Sequence, residues 1–298
     1  MVIIGAGPTG IASAIYLKRA GRDIVVMEQR VTGGLLRSAN LVENYPGFPG
    51  GIRGLDLAQR FSEQLDLLGI KVVQAEVRMV TSVVGIFKTE TSKGDFFSTS
   101  AIVASGTRPK KPCISGATRL EGRKVFTELV DMPLSAIYGK TVVVIGGGDS
   151  AFDYSLNLMS RGAKVIIVSR SNPVCLSLLR GRADEGGIDV IVGLEADDIK
   201  GSTGKVTVHG SGKAGEREIE ADYILLACGR EPNSDIIDFS LRVQTSKHDD
   251  IPRTNIPGLF MAGDVVRGKH RQAAISVGDG VNAGMMADEY LKSMEASR

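Results

Sequence analysis

Two glycine-rich turns hold the most legible chemistry in this chain: Gly5-Ala6-Gly7-Pro8-Thr9-Gly10 and Gly146-Gly147-Gly148-Asp149-Ser150-Ala151. Glycines at these spacings let a backbone bend tightly and approach a pyrophosphate, and the helix that follows offers N–H donors and a partial positive charge. The first turn has Glu28 about 20 residues on, where an acidic side chain holds ribose hydroxyls. The second ends in Ala151, and its matching strand end is Ser169-Arg170. An arginine there fits a 2′-phosphate better than a bare ribose diol, the plain alternative being a solvated surface arginine. Two such turns suggest two dinucleotides held face to face, with electrons passing between them. Cys113, Cys175 and Cys228 lie far apart and form no CxxC, so no thiol pair is ready to take those electrons further.

Turns of this kind need a strand before and a helix after, and the hydrophobic pattern supplies both. Val2–Ile4 leads into the first turn, residues 11–20 read as a helix ended by Gly21, and 24–27 as the next strand. This is a βαβ unit of about 30 residues with Glu28 at its tip. Leu55, Ala58, Phe61, Leu65 and Leu68 fall at helical spacing. Residues 71–77 read as a strand, and alternating stretches at 80–90 and 96–100 as a β-meander turning at Lys93-Gly94-Asp95. After the connector 107–112 the pattern restarts, with strand Thr141–Ile145, the second turn, a helix over 151–159, Gly162 and a strand over 164–168. Alternating segments at 206–208 and 217–219 precede a strand over 223–227. The tail, 255–298, is an apolar strand over 259–262 and a long helix without its own glycine turn, so it completes the first domain. The expected fold is α/β, with two Rossmann-type three-layer nucleotide-binding domains. The second (109–238) is inserted into a discontinuous first (1–108 and 239–298), with connectors 107–112 and 232–239 as hinges.

Bulk properties narrow the function. A length of 298 residues favours two domains. The net charge of +2 is too small to argue for nucleic acid or a membrane surface. No Trp is present and aromatics make up 5% of the chain, against base-stacking platforms. No run approaches the roughly 18–20 apolar residues of a membrane helix. Sparse cysteines and a start inside a strand, with no charged leader, give a cytoplasmic expectation.

Further motifs follow in a telling order. Val42-Glu43-Asn44-Tyr45-Pro46-Gly47 comes after Gly33-Gly34, then Ala104-Ser105-Gly106-Thr107, Gly229-Arg230-Glu231-Pro232-Asn233, Ala262-Gly263-Asp264-Val265 and Arg271-Gln272-Ala273. With the two turns, this set resembles the low-molecular-weight thioredoxin-reductase family of flavoproteins across nearly the whole chain. The resemblance implies that Gly5, Gly7, Pro8, Thr9, Gly10 and Glu28 hold the ADP part of FAD. It adds Gly34, Leu35, Asn44, Val77, Gly106, Gly263 and Arg271 as FAD contacts. Asp264 would accept from the ribityl chain, with the Gln272 and Ala273 backbone at the flavin's pyrimidine edge. A helix N-terminus there suits the negative charge of reduced flavin. Gly146, Gly148, Asp149, Ser150, Ala151, Arg170 and Gly229 would hold NADPH or NADH. A homodimer through the FAD domains is implied as well.

The departures from that family shape the functional expectation. Its redox-active CxxC precedes the second turn, whereas residues 124–132 here contain no cysteine. The arginine-rich NADPH clamp is thinned to Arg170, followed by Ser171, with Arg180 and Arg182 as later candidates. The leading reading is an FAD-dependent NAD(P)H oxidoreductase that passes electrons directly to an external acceptor. That acceptor is a ferredoxin, flavodoxin or iron–sulfur enzyme, or a small molecule. A disulfide reductase working by another route and a non-catalytic FAD-binding subunit stay open beside it. His270 is a weak proton-donor candidate, and Arg267, Lys269, His270 and Arg271 together a docking patch for an acidic partner or an ordinary solvated loop.

Overall fold

The computed structural model describes residues 1–83, 85–201, 204–244 and 254–297. Val84, inside the first alternating stretch, and residues 245–253 and Arg298, inside the expected first domain, lie outside the described residues. Two compact units emerge. One comprises Met1–Arg37, Val42–Arg108 and Glu231–Arg298, and the other Ser38–Leu41 and Pro109–Arg230.

The first unit is built on a five-stranded parallel sheet in the order Leu259–Met261, Ala101–Val103, Val2–Ile4, Val25–Glu28, Val72–Gln74. Its central strands are uninterrupted apolar runs because both faces are covered, and Ile3, Ala101, Ile102 and Val103 have no exposed surface. The first helix, Pro8–Arg19, starts three residues earlier than its apolar spacing suggests. Proline at the first helical position already has the right φ and lacks an N–H that would have no helical partner, so the helix begins at the turn itself. The last helix, Ala273–Ala296, packs on the first through small residues. A Cβ on Gly280 would come within 2.1 Å of the Thr9 carbonyl oxygen, and the Ser13 hydroxyl donates to the Gly280 carbonyl at 2.8 Å.

Strands Val77–Val83, Ile86–Thr91 and Gly94–Ser98 form the antiparallel meander of this unit. The stretch 80–90 is therefore two strands, divided beside Gly85, whose φ of +77° suits a turn. Residues 71–77 are divided as well, since Val72–Gln74 joins the parallel sheet and Val77 begins the meander.

The second unit repeats the plan. Its parallel sheet runs Asp189–Val192, Lys164–Ser169, Thr141–Ile145, Tyr223–Leu226, Val125–Phe126. The helix Asp149–Ser160 follows the second turn and buries Phe152 and Leu158 completely. The meander here has three strands: Leu194–Gly201, Val206–Gly212 and Gly215–Ala221. The first of these has no counterpart in the sequence reading. It exposes Glu195, buries only Leu194 and Ile199, and shifts register between Ala196 and Asp198, which breaks the alternation.

Candidate functional site

In the first unit the glycine turn is forced by contacts a side chain would destroy. Gly5 has φ +101°, and a Cβ there would sit 2.4 Å from the Ala104 carbonyl oxygen. A Cβ on Gly10 would sit 1.8 Å from the Gly5 carbonyl oxygen. Gly7 differs, because a Cβ there would meet no described atom within 4 Å. Its side faces open space at the start of the first helix, whose N-terminus has no side-chain cap. Thr9 is buried against Gly263, and Gly34, with φ +54°, starts the short turn that holds Leu35, where an added Cβ would come within 3.3 Å of the Gly7 Cα.

Glu28 ends the second strand with both carboxylate oxygens engaged, one accepting from Ala6 N–H at 2.8 Å and the other from Arg30 N–H at 2.9 Å. Val77 lies just beyond Ala75, whose N–H donates to the Glu28 carbonyl. Gly106, with φ +65°, accepts from Asn233 N–H through its carbonyl. Asn44 donates its amide to the Gln272 side chain at 2.8 Å, so two residues 228 apart in sequence meet. Gln272 caps the last helix without a side-chain bond to its own turn, and Ala273 is the first helical residue. Asp264 accepts from the Ser276 hydroxyl at 3.0 Å.

The basic cluster after Asp264 does not form one patch. Arg267 turns inward to a bidentate pair with the buried Asp279, and Arg271 keeps a buried Nε with no hydrogen-bond partner. Lys269 and His270 remain exposed, and His270 N–H bonds to the Arg267 carbonyl.

The second unit holds a cavity of about 700 Å³ along the carboxyl ends of its strands, including Gly146, Gly148, Asp149, Ser150, Arg170 and Gly229 in its wall. That is where open α/β sheets bind ligands. Gly146 has φ +154°, and a Cβ on it would sit 2.4 Å from the Ala227 carbonyl oxygen. Gly148 resembles Gly7, with no described atom within 4 Å of its Cβ position and no side-chain cap on the helix it starts. Asp149 accepts instead from Leu176 N–H at 2.8 Å, Ala151 is fully buried, and the Gly229 carbonyl accepts from Lys110 N–H. Arg170 is exposed at the cavity rim, but Arg180 and Arg182 are not among its lining residues. Arg180 pairs with Asp184 and stands over Phe152.

Two features of this unit left no sequence signal. Glu128 and Arg230, 102 residues apart, form a buried ion pair at 2.7 Å, with Arg230 on the cavity wall. The nearby Tyr154 hydroxyl has its pKa raised by burial and then by the Glu128 charge. Asp153 accepts from Asn40 N–H at 3.0 Å, and Asn157 donates to the Ser38 carbonyl at 3.2 Å, which fixes the Ser38–Leu41 segment in this unit. Burial raises the Asp153 pKa from 3.8 to about 6, against the lowering by the Asn40 N–H. The folded state therefore favours protonated Asp153, and its stabilising contribution is lost as pH rises through about 6. Asp153→Asn is expected to be more stable than the parent above pH 7, by on the order of 2–3 kcal/mol, and to lose that advantage near pH 4. Urea midpoints across that range check it.

The cysteines supply no thiol pair. Cys113 is exposed, Cys175 and Cys228 are half-buried, and all three are free. Burial pushes the Cys175 and Cys228 thiols up. In the segment before the second turn, Leu129 and Met132 are buried in the core at 1% and 5% exposure. Among the described residues no cluster of His, Cys, Asp or Glu is arranged to hold a metal, and no helix is long and apolar enough to cross a membrane.

These residues fit anionic dinucleotides. The uncapped helix starts at Gly7 and Gly148 face open space, and the orphaned Arg271 Nε is a buried donor without an acceptor. Fold and turns together define an α/β protein with two Rossmann-type units.

Comparison with known proteins specifies the class. Residues 1–280 match the family described as pyridine nucleotide-disulphide oxidoreductase. A 34.2 kDa protein of the rubredoxin operon of Clostridium pasteurianum is 30% identical, over 98% of this chain and 96% of its own length. Thioredoxin reductase of Listeria monocytogenes is 32% identical, over 100% of this chain and 95% of its own. The crystal structure of Lactococcus lactis thioredoxin reductase in its FR conformation superposes with a TM-score of 0.88 at 29% identity, covering 98% of each chain. The chain belongs to the pyridine nucleotide-disulphide oxidoreductase family. It is a thioredoxin-reductase-like, FAD-dependent NAD(P)H oxidoreductase, which sets aside the non-catalytic reading.

Proposed function

We propose that this oxidoreductase takes electrons from NAD(P)H and delivers them directly to an external acceptor, with no internal dithiol. The observation that supports this most is the cysteine set: three separate thiols, none adjacent to another, and buried Leu129 and Met132 before the second turn. When bound, FAD supplies two-electron acceptance and stepwise donation, chemistry that belongs to the cofactor.

The chain's own residues bind and orient. In the first unit, Gly7 and the start of the first helix receive the FAD pyrophosphate, beside Gly5, Pro8, Thr9 and Gly10. Glu28, already accepting from the Ala6 and Arg30 N–H groups, takes ribose hydroxyls. Gly34, Leu35, Asn44, Val77, Gly106 and Gly263 shape the rest of that site. Asp264 and the start of the last helix at Gln272 and Ala273 favour the reduced flavin, and Arg271 offers its orphaned Nε to an anion. The second unit's cavity takes the nicotinamide dinucleotide along Gly146, Gly148, Asp149, Ser150, Arg170 and Gly229, with Ala151 buried behind the turn.

The acceptor is a ferredoxin-, flavodoxin- or rubredoxin-type protein, an iron–sulfur enzyme, or a small molecule. The rubredoxin operon of the Clostridium pasteurianum relative supports a small redox protein. Two copies of the chain pair through the first unit, as the family resemblance implies, and the unpaired thiols suit the reducing cytoplasm. Anaerobic addition of NADH or NADPH is expected to bleach the flavin band near 450 nm within seconds. Thioredoxin with a disulfide substrate is then expected to leave the flavin reduced, while quinone or oxygen restores the band. Reoxidation by thioredoxin would overturn the direct-transfer reading.

A further inference from the structure

The wall of the second unit's cavity holds one arginine where a 2′-phosphate would be read, and a carboxylate stands beside it. Arg170 Nη1 lies 3.8 Å from Glu195 Oε1, both side chains are exposed at 78% and 63%, and both line the cavity. We infer that this cavity selects NADH over NADPH, with Glu195 as the residue that sets the preference. The inference rests on the reading of the second unit as the pyridine-nucleotide site and goes one step into it.

The fold puts Glu195 there for local reasons. Gly193 N–H donates to the Ser169 carbonyl at 2.8 Å, which ties the end of Asp189–Val192 to the residue preceding Arg170. The next strand starts at once, with Leu194 buried in the core and Glu195 on the cavity wall. In a Rossmann layer the end of the second strand reads the adenosine ribose, an acid binding the 2′,3′-diol and an arginine a 2′-phosphate. Here the strand end brings Arg170, and the following strand brings the acid.

Chemistry then favours the diol. A ribose diol offers two O–H donors, and a carboxylate is an acceptor at both oxygens. A 2′-phosphate brings close to two negative charges beside Glu195 and must compete with that carboxylate for Arg170. Little else on that side offsets the repulsion. Ser169 Oγ is committed to the Ser171 carbonyl, and Asn172 is neutral. Arg180 is paired with Asp184, and neither it nor Arg182 lines the cavity. Lys110 and Arg230 line it from the other side of the second turn, by Gly229.

Titration calorimetry of the FAD-loaded protein with NAD⁺ and NADP⁺ tests this, because the oxidised dinucleotides bind without electron transfer. NAD⁺ is expected to bind at least about tenfold more tightly than NADP⁺. Glu195→Gln is expected to tighten NADP⁺ by about tenfold and weaken NAD⁺ severalfold. Initial rates of anaerobic flavin reduction by NADH and NADPH should change in the same sense. Tighter NADP⁺ binding by the parent protein, or an unchanged ratio in Glu195→Gln, would overturn the inference alone. No binding of either dinucleotide would overturn the pyridine-nucleotide reading of the unit and the inference with it.

Discussion

Gly7→Ala is expected to purify folded and nearly colourless, whereas Gly10→Ala is expected not to accumulate as folded protein. The two glycines are three residues apart in one turn, and their surroundings are opposite. Gly7 has φ −76° and ψ −179°, which alanine adopts freely, and its Cβ would project into open space. The fold loses only a fraction of the roughly 1 kcal/mol that a poor N-cap costs. That open space is where a pyrophosphate must approach, so the added methyl stands between ligand and helix N-terminus. Flavin per chain, read from absorbance at 450 and 280 nm, should fall by at least about tenfold, or more than 1.4 kcal/mol of binding.

At Gly10 the methyl would lie 1.8 Å from the Gly5 carbonyl oxygen, 3.0 Å from its carbonyl carbon and 3.4 Å from the Ile3 side chain. Strand and helix would have to separate, at a cost beyond the 1–3 kcal/mol typical of overpacking. Full flavin content in folded Gly7→Ala would remove the first turn from the FAD site.

Arg230→Ala is expected to destabilise the protein by about 3 kcal/mol, far more than removal of an exposed arginine. Glu128 is 7% exposed, and its Oε2 has no hydrogen-bond partner even with Arg230 present. Deleting the guanidinium leaves a buried carboxylate without its 2.7 Å partner. The double variant Glu128→Leu/Arg230→Met should recover most of the loss, because apolar replacement of both members of a buried pair is often neutral. Urea unfolding of the parent, Arg230→Ala and the double variant decides it, and a loss below about 1 kcal/mol for Arg230→Ala would mean that the pair is not a buried charge contact.

The parts of the structure visible in the sequence were those in which local geometry and residue type coincide. A φ of +101° at Gly5 or +154° at Gly146 admits little but glycine, so the turns show in the chain itself. Continuous runs such as Thr141–Ile145 show because a buried parallel strand is apolar on both faces. The helix starts at Pro8 and Asp149 are hidden because apolar spacing begins about one turn after the cap. Leu194–Gly201 escaped because its register shift and four charged side chains hide the alternation. Glu195 escaped with it, although its place shortly after the apolar segment Asp189–Val192 was a usable signal. Glu128 with Arg230, and Asp153 with Asn40, are long-range pairs of ordinary polar residues, and no local pattern announces them.

The buried Leu129 and Met132 also bear on redesign. Writing cysteines at these two positions would create a CxxC spacing without creating a relay. Each exchange would trade a packed side chain for a smaller one, at a cost of about 1–3 kcal/mol in lost contacts. The new sulfurs would sit in apolar surroundings that hold a thiol protonated and out of reach of a partner disulfide. Point mutation alone would not give this segment a working dithiol, because its buried side chains are structural core.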